Sequence, residues 1–261
     1  MNVLLLDFEA TSLDTSEARP LEIGAIITDG TFDESIDWMS ELMWDSSYPA
    51  LTPEVSKITN ITQGMLLGDS RKPADVLCSL GLMAHSHNVG AVIAYNKAYD
   101  QGVMYSEVAR LGIGKNPGVD HLLSVPWLCA MLDVEETVEI TKGKYIKLMY
   151  AALEHGVTVN PKELHRALAD VELMRKMLVA AGTTAEKILA YSQEPWIYLR
   201  AHTTEPWKDG GRSNKVAKDL GFSWEQCPGD ERKFSKQWVK RIKERKLEEL
   251  MASPIKLSRL V

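Results

Sequence analysis

Four carboxylates and one histidine carry the chemistry this sequence can offer: Asp7, Glu9, Asp100, His165 and Asp170. Asp7 and Glu9 interrupt the apolar run of MNVLLLDFEA. In a strand, residues i and i+2 point to the same face, so both carboxylates project together. Two anions that close repel unless a cation sits between them, and hard divalent cations take oxygen ligands. The pair therefore either caps a strand at the surface or holds something positive. Asp100 follows the apolar run Val89–Tyr95 and the polar Asn96. Strand ends are where open α/β sheets place ligand groups, although an acid there also suits the first turn of a helix. His165 and Asp170 lie five residues apart. On one helix they would sit about 140° from each other and share no face. They converge only if His165 belongs to the entry loop and Asp170 to the helix, whose buried stripe is then Ala167, Val171, Met174 and Leu178.

The elements that must position these groups are legible from periodicity. Residues 2–9 read as a buried strand and TSLDTSEARP as a loop. LEIGAIITDG and TFDESIDWMSELMW read as two more strands, joined as an antiparallel hairpin across Asp29-Gly30. PEVSKITNITQGML is a turn and short helix, and KPADVLCSLGLMAHSH a helix with Val76, Leu77, Leu80 and Met83 on its stripe. VGAVIAYN is a fourth strand and YDQGVMYSEVARLGI a helix. Another helical stretch lies around 144–155, and the helix after His165 stops at Gly182. Strands followed by helices in this order indicate an α/β sheet with helices packed on it.

Of 261 residues, 45% are hydrophobic and 25% charged, which is ordinary for a globular chain. Three scattered cysteines, Cys78, Cys129 and Cys227, form no CxxC pair, which argues against a disulfide framework or a zinc knuckle and suits a reducing cytoplasm. No signal peptide or membrane span is visible, so a cytoplasmic location is expected (a host's cytoplasm, for a phage protein). Charge is uneven. Residues 191–261 hold 15 basic and 10 acidic residues, net +5, which leaves 15 and 26, net −11, for residues 1–190. Four of the seven tryptophans, Trp196, Trp207, Trp224 and Trp238, lie in the basic part, where they could stack on bases or form a small core.

Taken in order, D-x-E, a later D and H-x-x-x-x-D resemble the DEDDh (DnaQ-like) 3′→5′ exonucleases of the ribonuclease H-like fold. DFEATSLD is similar to the first family motif, AYNKAYD to the second and HRALAD to the third. KITNITQGML and YIKLMYAALEHGV resemble the segments between them. The resemblance covers roughly residues 2–180. It implies a mixed five-stranded sheet flanked by helices, and hydrolysis of phosphodiesters with two ions of Mg²⁺ or Mn²⁺. Paired cations offset the phosphate's charge, activate water and stabilise the leaving oxygen. It further implies that Asp7 bridges both ions, that Glu9 and Asp170 complete one, that Asp100 holds the other, and that His165 is the general base. Residues around the first motif contact the terminal nucleotide in the family, which makes Thr11, Ala10, Ile61 and Asn96 the candidates here. Phe8 alternates away from the acids and is expected in the core. Tyr99 stands where the second motif commonly has Phe.

The expected division is an exonuclease domain over 1–182, a junction over 183–195 and a small basic module over 196–261. The module resembles one appended to some bacterial and phage exonucleases. IYLRAHT is expected as a strand. A Gly-rich turn, a short helix, a turn and a long basic helix are expected to follow it. Lys215, Lys218, Lys233, Lys236, Lys240, Arg241 and Lys243 would then form a positive strip beside Trp224 and Trp238. This implies a module that holds single-stranded DNA or docks a replication or recombination protein. The expected substrate is DNA at single-stranded 3′ ends. RNA, or a role as a nuclease-fold scaffold for a polymerase, are the alternatives.

Overall fold

The computed structural model describes residues 1–141, 145–160, 165–226 and 236–260. Cys227 and Lys233, named above, lie outside them. The chain divides into two compact units, 1–192 and 193–261.

The first unit is built on a five-stranded sheet in the order β3-β2-β1-β4-β5. β1 (Asn2–Ala10) pairs antiparallel with β2 (Pro20–Thr28), which pairs antiparallel with β3 (Ser35–Leu42). On its other side β1 runs parallel to β4 (Val89–Ala94), and β4 is parallel to β5 (Trp127–Cys129). The sheet is thus mixed, with the acid-bearing strand at its centre. The β2–β3 connection departs from a tight Asp29-Gly30 turn. Thr28 pairs with Ser35, and Phe32 takes a left-handed conformation (φ 68°) with its ring fully buried. Burial of that ring sets the length of the loop.

Between β3 and β4 come α1 (Pro53–Thr59), α2 (Gln63–Asp69) and α3 (Pro73–Ser86). The Thr52 and Thr62 hydroxyls accept from backbone N–H groups to start α1 and α2. Two short helices thus stand where one was expected. α4 (Lys97–Leu111), α5 (Pro117–Ser124), α6 (Glu135–Thr141), α7 (Leu148–Glu154), α8 (Ala167–Ala181) and α9 (Ala185–Gln193) complete the unit. Alternation along β1 feeds two cores. Leu4, Leu6 and Phe8 pack with Val76 and Leu80 of α3, Val103 of α4 and Val119 of α5. Val3 and Leu5 pack on the opposite face with Ala151 of α7, Val171, Met174 and Leu178 of α8, and Ile188 of α9. Asp7 and Glu9 continue the Val3–Leu5 series, so they emerge on the α8 face. The residues read as a junction, 183–195, therefore hold a helix whose Ile188 is buried in the sheet core.

In the second unit, β6 (Trp196–Ala201) is followed by α10 (Pro206–Asp209), α11 (Arg212–Asp219), β7 (Ser223–Gln226), β8 (Lys236–Lys243), α12 (Leu247–Met251) and β9 (Leu257–Leu260). They form an antiparallel sheet in the order β7-β8-β6-β9. The long basic helix expected here is mostly strand. Lys236–Lys243 pairs with β6 on one side and β7 on the other. Trp238, Val239 and Ile242 favour a pleated, half-buried surface, and that packing outweighs the helical preference of the interspersed lysines. Only Leu247–Met251 is helical beyond it, after a short 3-10 turn. Among the described residues, no helix is long and apolar enough to cross a membrane.

Candidate active site

All five candidate groups line one cleft of about 550 Å³ on the α8 side of β1. Each arrives from a different local cause. Asp7 and Glu9 leave β1 on one face, and the β1–β2 register shifts just after Glu9, at Ala10. Asp100 sits in the first turn of α4 and is 3% exposed. Its Oδ1 accepts a hydrogen bond from Phe8 N (3.0 Å), which ties α4 to β1 between the two strand acids. His165 precedes α8 in a left-handed backbone conformation (φ 65°) and is exposed, whereas Asp170 is in the first helical turn. This is the loop-and-helix arrangement in which the pair converges. Ligand atoms of Glu9, His165 and Asp170 all lie within 4.8 Å of one another.

The electrostatics are those of a site lacking positive charge. Burial, then Asp100, Glu9 and Asp170, raise the Asp7 carboxyl well above its ordinary range. Glu9 is pushed up to about 8, chiefly by burial and then by Asp170, with Arg166 opposing. Burial takes Asp100 to about 7 against the hydrogen bond from Phe8 N. Asp170 is raised by burial, and His165 opposes the shift. Asp170 Oδ1 is buried without a hydrogen-bond partner among the described residues. A buried oxygen left unpaired is costly, and Asp170 shares its cleft with Asp7, Glu9 and Asp100. Hard oxygen donors with one histidine suit a divalent cation such as Mg²⁺ or Mn²⁺, so the residues fit a metal site.

The nucleotide candidates part company. Asn96 is exposed and lines the cleft. Thr11 does not line it. Its hydroxyl accepts from Arg19 N (3.0 Å) and its N–H donates to Arg19 O (3.0 Å), so it closes the β1–β2 loop. Ala10 packs against the β1 core at the register shift. Ile61 is fully buried with Leu21, Tyr48 and Leu66 in a satellite core and presents no surface to a nucleotide.

Two residues that sequence reasoning passed over, Glu22 and Gly24, hold α8 in place. Glu22, beside Glu9 in register, is 1% exposed. It accepts from Arg166 Nε (3.0 Å) and Nη2 (2.6 Å) and from Ala167 N (3.1 Å), and so caps the helix directly after His165. Gly24, paired with Asp7, lets the backbone of α8 approach. A Cβ there would lie 2.2 Å from Ala167 C and Leu168 N. A charge inside the apolar run LEIGAIIT and a glycine within a strand were the available signals. Across the cleft, Tyr95 donates from its hydroxyl to Ile146 O (2.7 Å), fixing the segment that carries Tyr145 and Lys147.

A family model described as "Exonuclease" matches residues 4–178. The chain belongs to this exonuclease family, with the ribonuclease H-like mixed sheet described above. No curated protein matches it. Among solved structures it is similar to exonuclease I in work on how processivity is achieved (17% identity, TM-score 0.57, 79% of this chain and 50% of that one). It is similar to Escherichia coli exonuclease I bound to a dT13 oligonucleotide (14%, 0.60, 93% and 63%). A complex of exonuclease I with the SSB C-terminus is a third (16%, 0.57, 82% and 50%). The chain thus spans about half to three fifths of the length of these structures.

Proposed function

We propose that this chain is a metal-dependent 3′→5′ exonuclease that hydrolyses DNA, single strands first, to nucleoside 5′-monophosphates. The observation that carries the reading is the cleft itself. Four carboxylates, Asp100 buried and the other three half-buried, lie together with raised proton affinities, one oxygen is unpaired, and a histidine stands at the edge. Asp7, Glu9, Asp100 and Asp170 would hold divalent ions, which when bound supply charge neutralisation of the phosphate and an acidified water.

The chain's own residues do the rest. His165, exposed and within reach of Glu9 and Asp170, accepts on a ring nitrogen the proton that the attacking water loses. Asp170 lies beside the ring. Tyr95, Tyr99 and Tyr145 give the cleft aromatic walls against which a terminal base can stack. Asn96 offers an amide to a phosphate or sugar. The direction of attack rests on the DEDDh motif order. The choice of single-stranded DNA draws support from the dT13 oligonucleotide held by the similar exonuclease I, and the SSB C-terminus marks the first protein partner to test.

End-labelled single-stranded and duplex DNA and RNA, incubated with Mg²⁺, Mn²⁺ or EDTA, test this. A 5′-labelled DNA strand should shorten stepwise from its 3′ end with metal and stay intact in EDTA. Degradation from the 5′ end, or activity that survives EDTA, would sink the reading.

A further inference from the structure

The cations expected to form one positive strip are divided, among the described residues, between α11 and β8. Lysines of β8 are used within the second unit. Lys240 Nζ donates to Leu220 O (2.7 Å). Lys243 is 1% exposed, donates to Glu194 O (2.8 Å) and lies 4.3 Å from the centre of the Trp196 ring. Arg241 stacks over the same ring at 4.3 Å. Lys236 and Arg241 of β8 remain exposed, and α11 carries a row of three further exposed cations.

α11 is amphipathic. Val216, Ala217 and Leu220 pack with Leu199, Phe222 and Ile242. Arg212, Lys215 and Lys218 recur every three residues on the opposite arc and are exposed. Among the described residues none of the three forms an ion pair. The helix start itself is occupied by Asp209, which accepts from Gly211 N (2.8 Å) and Ser213 N (3.0 Å). The cationic arc is bordered by aromatic rings. Asn214, one turn before Lys218, accepts from Trp238 Nε1 (3.0 Å). Trp224 sits against Trp238 with ring centres 5.6 Å apart, yet remains 54% exposed. A tryptophan supported on one side and open on the other offers a free ring face.

We propose that α11 and Trp224 form a binding ridge for single-stranded nucleic acid. Arg212, Lys215 and Lys218 contact successive phosphates, and Trp224 stacks on a base. This rests on the reading of the chain as a nuclease. The occupant is chosen by complementarity, because a flexible polyanion with exposed bases is what a cation row beside an open aromatic ring accommodates. The surrounding charge agrees, since residues 191–261 are net +5 in a chain of net −6.

The test is binding by the full chain, in EDTA so that no cleavage intervenes. The probe is a fluorescent oligothymidylate of about 16 nucleotides, followed by anisotropy over a range of salt concentrations. Lys215→Gln with Lys218→Gln should weaken binding and make the log–log salt slope shallower by roughly 1.4, the contribution of two phosphate contacts on a single strand. Trp224→Ala should weaken binding roughly tenfold with the slope unchanged, whereas Trp224→Phe should keep most of the affinity. Unchanged affinity and slope in both variants overturn the proposal and leave the ridge to a protein partner. A wild-type chain that binds the probe and degrades no nucleic acid with Mg²⁺ overturns the nuclease reading instead, while degradation with variant binding unaltered overturns the ridge alone.

Discussion

His165 and Asp170 share a corner of the cleft, yet only the replacement of Asp170 should change stability. His165 is exposed, and its ring fills no core. His165→Ala should lower the cleavage rate by roughly 10²–10⁴-fold, the usual worth of a general base, and leave the melting temperature within a degree or so. Asp170 carries a buried, unpaired oxygen among like charges. Asp170→Asn keeps the shape and removes one repelling charge. It should abolish metal-dependent cleavage while raising the melting temperature in EDTA, a trade-off expected where function requires strain. A melting temperature in EDTA that falls would contradict the electrostatic account of the cleft. These acids were legible in the sequence because a carboxylate inside an apolar run is conspicuous and because five residue types occur in order. Ile61 was misleading because a position in a motif says nothing about local packing, and a satellite core encloses it.

At the level of elements, the docking of α8 on β2 decides whether Asp170 reaches Asp7. Gly24 pairs with Asp7 in the sheet and faces the α8 backbone without a side chain between them. Glu22, two residues earlier, holds Arg166 and the first helical N–H. Gly24→Ala places a Cβ 2.2 Å from backbone atoms that have no rotamer to change. Helix α8 must therefore shift, at a cost on the order of 1–3 kcal/mol, seen as a lower midpoint in urea. Cleavage should fall much more than stability does, because sub-ångström placement governs reactivity. Gly24→Ala with wild-type activity would show that α8 docks with slack. Strong periodicity made β1, β2, α3, α4 and α8 readable. β5 escaped because it is three residues inside the run SVPWLCAML, where no period can declare itself. β8 was mistaken because lysine and arginine dominate its composition, while its conformation is set by pairing with β6 and β7.

For the whole molecule, the cleft couples folding to protons and metal. Glu9 and Asp100 titrate near 8 and near 7 in the folded chain against ordinary values of 4.5 and 3.8, and Asp7 and Asp170 are shifted the same way. Between those limits the folded chain binds more protons than the unfolded one. Its stability therefore decreases as pH rises through the window. What these groups contribute is fully present below about pH 4 and lost as pH passes 7 to 8. A cation bound by the ionised carboxylates acts the other way, since it stabilises the folded state by mass action and binds better as protons leave. Two curves should result from scanning calorimetry. In EDTA the melting temperature should fall steadily from pH 6 to pH 8.5. With millimolar Mg²⁺ it should flatten, so that the metal's increment is larger at pH 8 than at pH 6. Glu9→Gln serves as the internal control, because it removes a group that titrates near 8 and should reduce the slope in EDTA. A metal-free chain whose melting temperature is level across this range, with Glu9→Gln parallel to it, would mean that the four carboxylates are solvated in solution and do not form the charged pocket on which the nuclease reading depends.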